Sequence, residues 1–487
     1  MIKNHLINTW ALALGMCWAL GCSDDSGAAV GTPSGGTEEP TLGTAELRVV
    51  HASPEAPAVD VYAKGSDTPA VEGLAYGEAT GYLQLPEGSY EFELRAAGAP
   101  ASDPAIYTTP VLDLAADGRY TAVAAGSVNA DAPADAAFRV AAFAEQFAAS
   151  DDSNFRLRIV HASQDAPTVG IDVGNDDPAA PEVAALDRFA DTGEAGVELP
   201  AETQLQVGVV AAGEVVTAFT VPDVIAANSE VFVVATGLVS KTPGDEQGFS
   251  LLAVFGDGST AWIKQNPLVY ALHASTEAPA VDIFAGNAEI VDNLSYGELS
   301  APVQVPPGSY DLDFFVAEGG ASARPAGDPA VMGSTPMLEA GRRYLAVATG
   351  PLADFQLLGF ADDFSGAADE GSLRVIHAAA DAPAVDVGTF SDGSMDAALI
   401  SNLAYGSAAM SDLVLPASSY DIGISAAGST DTVAEFPGIA LSEGQRAFVV
   451  ASGDLAGTNA PFGLLVVGTT NSTLDKEWSV ASLVNQK

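Results

Sequence analysis

Basic residues, cysteine and helical periodicity are what this chain has least of. Its 487 residues carry 18 Lys and Arg against 64 Asp and Glu, a formal charge of −46. A surface of that sign repels DNA, RNA and anionic headgroups, which excludes nucleic acid as a partner and favours cations, basic partners and solubility. Both cysteines, Cys17 and Cys22, fall in the first 22 residues. The folded part therefore has no cysteine nucleophile, disulfide or cysteine-based zinc site, and its stability must come from its cores. Beyond the N-terminal run no stretch of about 18 apolar residues occurs, so no later segment is expected to span a bilayer.

Histidine is scarce too, and its placing is informative. Apart from His5, the histidines are His51, His161, His273 and His377, spaced 110, 112 and 104 residues apart. Each sits at the same place in a repeated stretch: LRVVHASPEAPAVDVY, LRIVHASQDAPTVGID, VYALHASTEAPAVDIF and LRVIHAAADAPAVDVG. A period above about 100 residues is domain-sized, unlike the roughly 20–50 of solenoid repeats. Each repeat can own a core, so the chain reads as beads on a string, at residues 45–148, 149–266, 267–366 and 367–487 with a C-terminal tail.

Within a repeat the pattern is that of strands. Leu47 to His51 is a β-rich run stopped by the prolines of HASPEAP, which make a loop because proline fixes φ and lacks an N–H. Tyr90, Phe92 and Leu94 alternate with Glu91, Glu93 and Arg95, the mark of a sheet with one buried and one wet face, hence antiparallel. Asp117-Gly118 between two strand-like runs signals a hairpin. Several short strands with frequent turns predict an all-β chain of four tandem β-sandwiches, immunoglobulin-like or transthyretin-like. Repeat 2 diverges, with Gly170 where the others have aspartate. Shared details of repeats 1 and 3 suggest a duplicated pair, and short polar joins predict a semi-rigid rod.

The run of motifs L-R-V-V-H-A-S-P-x-A-P-x-V-D-V-Y, L-x-Y-G-E and L-P-x-G-S-Y resembles domain-of-unknown-function family 4397, found in exported bacterial proteins, often in several copies. The resemblance implies an envelope or extracellular β-domain and brings no established activity, substrate or catalytic residue.

The N-terminus reads as an address. Lys3 precedes a mostly apolar run, Leu6 to Leu20, of signal-peptide length, which ends Ala19-Leu20-Gly21-Cys22. That ending resembles the lipobox of bacterial lipoproteins, with Ala19 where leucine is commoner. It implies a leader over residues 1–21, lipidation of Cys22 and an acidic Gly-Ser tether over 22–44. Cys17 follows the bulky Met16 and fits less well. The expected place is the cell envelope, at the outer membrane, facing the periplasm or the cell surface.

Two chemical readings attach to the repeat. His51/Asp60, His273/Asp282 and His377/Asp386 lie nine residues apart, as a base and its orienting group or as metal ligands. Ser53 and Ser275 stand near as nucleophiles, but repeat 4 has Ala379 there and nothing spells a nucleophile elbow. One histidine per repeat falls short of a metal site, even with Glu55, Asp165, Glu277 and Asp381 at a matching loop position. Acid-rich loops such as Asn175-Asp176-Asp177 offer oxygens for calcium, as solvated turns also do; no cofactor is expected. The structural reading places each histidine in phase with the core, its ring holding carbonyls of the HASPEAP loop, with Asp60 accepting loop N–H bonds or pairing with the histidine. On it the expected function is a non-catalytic, lipid-anchored protein that contacts an unknown protein, matrix or glycan. A carbohydrate or peptidoglycan platform on exposed Tyr76 and Tyr296 is the alternative, and an enzyme using the His–Asp pairs the third.

Overall fold

The opening strand of each repeat pairs with a strand far along the chain, and that pairing sets the architecture. In repeat 1 the strands are β1 (Thr44–His51), β2 (Val59–Ala63), β3 (Val71–Leu74), β4 (Leu83–Pro86), β5 (Gly88–Tyr90), β6 (Phe92–Ala96), β7 (Tyr107–Thr108), β8 (Leu112–Leu114), β9 (Arg119–Ala125) and β10 (Arg139–Ala144). One sheet runs β10-β9-β1-β4, the other β3-β2-β6-β7, and β5 pairs β8 in a short ribbon. The structure, a computed structural model, describes residues 43–318, 323–367, 369–468 and 477–487. It is 51% strand, with one 3₁₀ turn at Leu352–Asp354 among the described residues. The all-β sandwich expectation holds.

Two expectations of detail do not. The first sheet is mixed, because β1 and β9 are parallel. The same parallel pair recurs in every repeat in one register: His51 opposes Ala124, His161 opposes Ala235, His273 opposes Ala348 and His377 opposes Ala451. A parallel pair needs a long crossover, and here the crossover is the whole second sheet. Asp117-Gly118 is a turn but no hairpin: Asp117 is left-handed (φ 58), and the strands on either side, β8 and β9, belong to different sheets.

Each sandwich closes over its own core. In repeat 1, Ala45, Leu47, Ala122, Ala124 and Val140 of the mixed sheet meet Val59, Val61, Leu74, Phe92 and Leu94 of the other. His51 shares the phase of Leu47 and is buried, as its position in the strand predicts.

The opposite face of the mixed sheet is buried as well, and this corrects the beads-on-a-string expectation. Val50, Ala52, Val123 and Ala125 of repeat 1 pack with Val160, Ala162, Phe232, Val234, Leu252 and Val254 of repeat 2 in one cluster. Repeats 3 and 4 do the same through Leu272, Ala274, Leu345 and Val347 against Ile376, Ala378, Phe448, Val450, Leu465 and Val467. Equivalent positions face each other, as in a two-fold dimer made within one chain. Hydrogen bonds repeat the symmetry: Thr349 Oγ1 donates to the Ala378 carbonyl at 2.7 Å, and Ser452 Oγ returns the bond to the Ala274 carbonyl at 3.1 Å. Arg48 donates to the Phe255 carbonyl across the interface at 3.0 Å, and Arg158 donates to the matching carbonyl of Ala144.

Repeats 2 and 3 meet differently, through polar groups. Gln304 Oε1 accepts the Ala218 N–H at 2.8 Å, while Gln304 Nε2 donates to the Asn266 carbonyl at 3.0 Å. The chain is thus two apolar pairs joined by a polar seam.

Candidate functional site

The repeated histidine loop is the natural place to look for chemistry, and its geometry recurs four times. His51, His161, His273 and His377 each point Nε2 at the carbonyl of the proline six residues on, which ends the loop: Pro57 at 3.1 Å and Pro167, Pro279 and Pro383 at 3.0 Å. A carbonyl only accepts, so Nε2 carries the proton and the ring is neutral with Nδ1 unprotonated. In repeats 1 and 4 Nδ1 accepts the N–H two residues on, from Ser53 at 3.4 Å and Ala379 at 3.3 Å, while in repeats 2 and 3 the Nδ1 of His161 and of His273 is buried without a hydrogen-bond partner. The ring fixes a proline-broken loop that has no sheet partner of its own.

The serines do not join the histidines. Ser53, Ser163 and Ser275 donate their hydroxyls to the carbonyls of Gly126, Gly237 and Gly350 at 2.6, 2.7 and 2.6 Å. These bonds tie the loop to the turn that leaves the parallel partner strand.

The aspartates do not join them either; among the described residues there is no His–Asp ion pair. Asp60 accepts the N–H of Gly73 at 2.7 Å and that of Gly98 at 2.9 Å. Asp386 repeats both bonds, from Asn402 at 2.7 Å and Gly428 at 2.8 Å, and Asp282 accepts from Asn293 at 2.8 Å. Gly73, Asn293 and Asn402 are all left-handed, with φ 63, 51 and 54. Each lies in a bulge, where two residues of one strand span three of its neighbour, as Val59↔Leu74 and Val61↔Val71 show. The aspartate clamps this bulge. Repeat 2 has Gly170 for the aspartate and Ala185 for the left-handed residue, and keeps the register without the clamp.

Three of the four loop carboxylates likewise serve the scaffold, and Glu277 is exposed. Asp165 accepts the N–H groups of Val239 and Ser240, and Asp381 that of Leu455. Glu55 accepts from Ser127 and, across the pair, from Gln164. Asp172 accepts the Asp177 N–H at 3.2 Å, which turns the acid-rich loop back on its own strand. One carboxylate triplet among the described residues, Asp282, Glu289 and Asp292, brings its oxygens within 4.8 Å of one another.

Tyr76 and Tyr296, expected as exposed aromatics, stand half-buried between paired repeats. The Tyr76 ring lies 5.3 Å from that of Trp262 in repeat 2, and Tyr296 Oη is 3.2 Å from Ser452 Oγ in repeat 4. Burial pushes the Tyr76 hydroxyl up to about 12. The glycine after each tyrosine is left-handed, Gly77 at φ 83 and Gly297 at φ 79, and its N–H closes on the histidine carbonyl. These are turn and packing residues.

Burial lowers the pKa of all four motif histidines, partly offset by the proline carbonyls. Glu78 and Glu298 oppose the shift at His51 and His273, while Arg188 adds to it at His161. Because the folded rings hold protons less well than unfolded ones, the unfolded state binds more protons below about pH 6.5. Stability is complete above that pH and falls below it until the folded pKa is reached. Thermal melts taken from about pH 7.5 down to 5.5 should show a falling Tm. A His51→Gln/His161→Gln/His273→Gln/His377→Gln chain should lose that slope; an equal slope in both would assign it to other groups.

Fold and loop geometry together define a tandem β-sandwich protein whose repeated histidine motif is spent on its own scaffold. The chain belongs to the family Domain of unknown function (DUF4397), which matches residues 45–172 and 267–388, about half of its length. Each match covers one odd repeat and runs into the first two strands of the next, in step with the pairing. No curated protein sequence matches the chain. Among solved structures, the Bacillus anthracis TIE protein is similar at 10% identity over 85% of this chain and 67% of that chain, with a TM-score of 0.14, too loose a superposition to bear on fold or function.

Proposed function

We propose that this is a lipid-anchored cell-envelope protein that displays paired β-sandwich repeats for contact with a partner, matrix or neighbouring cell, without catalysis. The observation that carries the reading is the use of the motif groups. Every motif histidine, the motif serines of repeats 1–3 and the three motif aspartates are committed to loop and bulge hydrogen bonds inside the scaffold. Groups whose hydrogen bonds go to the loop and the bulge in this way serve the scaffold, and that use supports a non-catalytic reading.

The anchor rests on Ala19-Leu20-Gly21-Cys22. Cys17, Cys22, the leader and nearly all of the tether lie outside the described residues, and no helix among the described residues is long and apolar enough to cross a membrane. Replacing Cys22 by alanine should move the protein out of the membrane fraction, and globomycin should make its precursor accumulate. A Cys22→Ala protein that still sediments with membranes would sink the anchor.

A further inference from the structure

Repeats 1 and 3 carry the same turn, Leu74-Ala75-Tyr76-Gly77-Glu78 and Leu294-Ser295-Tyr296-Gly297-Glu298. In each pair this turn meets the edge strand that ends the mixed sheet of the even-numbered repeat: Thr260–Ile263 in the first pair, Ser479–Val484 in the second. In the first pair Trp262 lies on the turn. A Cβ at Gly77 would stand 2.4 Å from its Cζ2, and Thr260 Oγ1 donates to the Gly77 carbonyl at 2.8 Å.

In the second pair no indole stands at the matching place; Trp478, just before the edge strand, lies instead against Tyr270 and Phe448. Leu252 opposes Val234 on one side and Trp262 on the other; at the matching place Leu465 opposes Val450 and Ser482. Val480 likewise takes the place of Thr260. Ser482 is exposed, and a Cβ at Gly297 would find only Leu465 Cδ2, 3.8 Å away. A groove of about 570 Å³ opens there, lined by Ile290, Leu294, Gly297, Leu299, Pro302 and Val480 among others. That volume lies in the range of sites that take a small molecule or a large side chain.

Its rim is acidic. Asp292 and Glu298 line it and are exposed, and Asp292 belongs to the carboxylate triplet with Asp282 and Glu289. One oxygen of Glu289 is buried without a hydrogen-bond partner.

We propose that this groove receives an aromatic side chain of a partner polypeptide, with a Lys or Arg close beside it in sequence. The first pair displays the occupant that fits: the Trp262 indole, with Lys264 Nζ 5.3 Å from the ring centroid. The groove is continuous with the interface between repeats 3 and 4, since Val480, which packs on that interface, lines it, and Leu465 of the same interface lies 3.8 Å from where a Cβ on Gly297 would stand. An acidic rim on a chain of charge −46 supplies the complement to a basic flank. This deepens the interaction reading by giving the partner's chemistry at one site, and it stands independently of the anchor.

Tryptamine, a cationic indole, is the probe, with 3-methylindole as its uncharged counterpart, observed by saturation-transfer NMR on the full chain. Tryptamine should bind the wild-type chain, and Ser482→Trp should weaken it by about tenfold or more, because the chain's own indole then fills the groove. Ala301→Trp, at an exposed position of the groove lining, should have the same effect if Ser482→Trp does not fold. Asp292→Asn should weaken tryptamine about two- to fivefold and leave 3-methylindole unchanged. No binding by the wild-type chain, or undiminished binding by a folded Ser482→Trp protein, overturns the site. Equal binding of the two probes overturns the basic flank. A Cys22→Ala protein that leaves the membrane yet keeps tryptamine binding separates failure of the anchor from failure of the groove.

Discussion

A Phe232→Ala chain is expected to unfold repeats 1 and 2 together, with a loss of about 3–5 kcal/mol. Phe232 is 1% exposed, yet it lies outside the core of its own sandwich. It stands on the outward face of Glu230–Thr236, in the cluster shared with Val50 and Val123 of repeat 1, with its ring 6.4 Å from that of Phe143. Truncation opens a cavity between two sheets that are each held by their own sandwich, so neither can move in to close it. Both partners lose contacts, and an exposed apolar sheet face is not stable alone. The polar seam between repeats 2 and 3 transmits little of this, so the second pair should melt as before. Differential scanning calorimetry of the full chain should show one transition lowered by roughly 10 °C and a second unmoved. Repeat 2 melting alone, with repeat 1 unchanged, would show that the pair is not a cooperative unit.

Strand phase made much of the fold legible. His51 follows Leu47 and Val49 at a period of two, which places its ring inward, and the prolines of HASPEAP fix the loop it supports. The left-handed glycines after Tyr76 and Tyr296 were readable as turn residues for the same local reason. Parallel pairing of β1 with β9 was not readable, because it depends on which of several similar strands meet across some 70 residues of chain. Asp117-Gly118 shows the limit: the turn chemistry is that of a hairpin, but the chain there passes between sheets. The interface between repeats leaves a trace in the sequence, but not a local one. Val49 and Val50 are adjacent and both apolar, as in a strand covered on both faces, and Arg48 recurs as Arg158 and Arg374 in a chain that has few basic residues. Tyr76 looked like an exposed platform because nothing local announces Trp262, 186 positions later. The aspartate clamp has a trace too: the repeat that lacks the aspartate, at Gly170, has Ala185 where the others have the left-handed glycine or asparagine.

Arg48→Ala should cost as much as the loss of a core aromatic, about 3–5 kcal/mol, because of what it leaves behind. Arg48 is 2% exposed and uses its whole guanidinium. Nε donates to Thr121 Oγ1 at 2.7 Å, Nη2 to both oxygens of Glu145 at 3.2 Å, and Nη1 to the Phe255 carbonyl of repeat 2 at 3.0 Å. Its carbon lies 4.8 Å from the centroid of the Tyr82 ring, whose hydroxyl also donates to Glu145 at 2.9 Å. The Glu145 side chain is 3% exposed, so without the arginine a carboxylate stays buried with only the hydroxyls of Thr121 and Tyr82 bonded to it. An exposed ion pair such as Lys64–Glu91 carries no such penalty, because water solvates whichever partner is left. The difference comes from desolvation, and it can be isolated. Glu145→Gln added to Arg48→Ala removes the stranded charge and should recover a large part of the loss, read as the urea midpoint of the first pair. A double variant no more stable than Arg48→Ala would mean that the arginine acts through its contacts with repeat 2. In that case Arg158→Ala, which breaks the reciprocal bond to the Ala144 carbonyl and leaves the more exposed Asp191, should cost as much as Arg48→Ala. If the buried charge decides, Arg158→Ala should cost less.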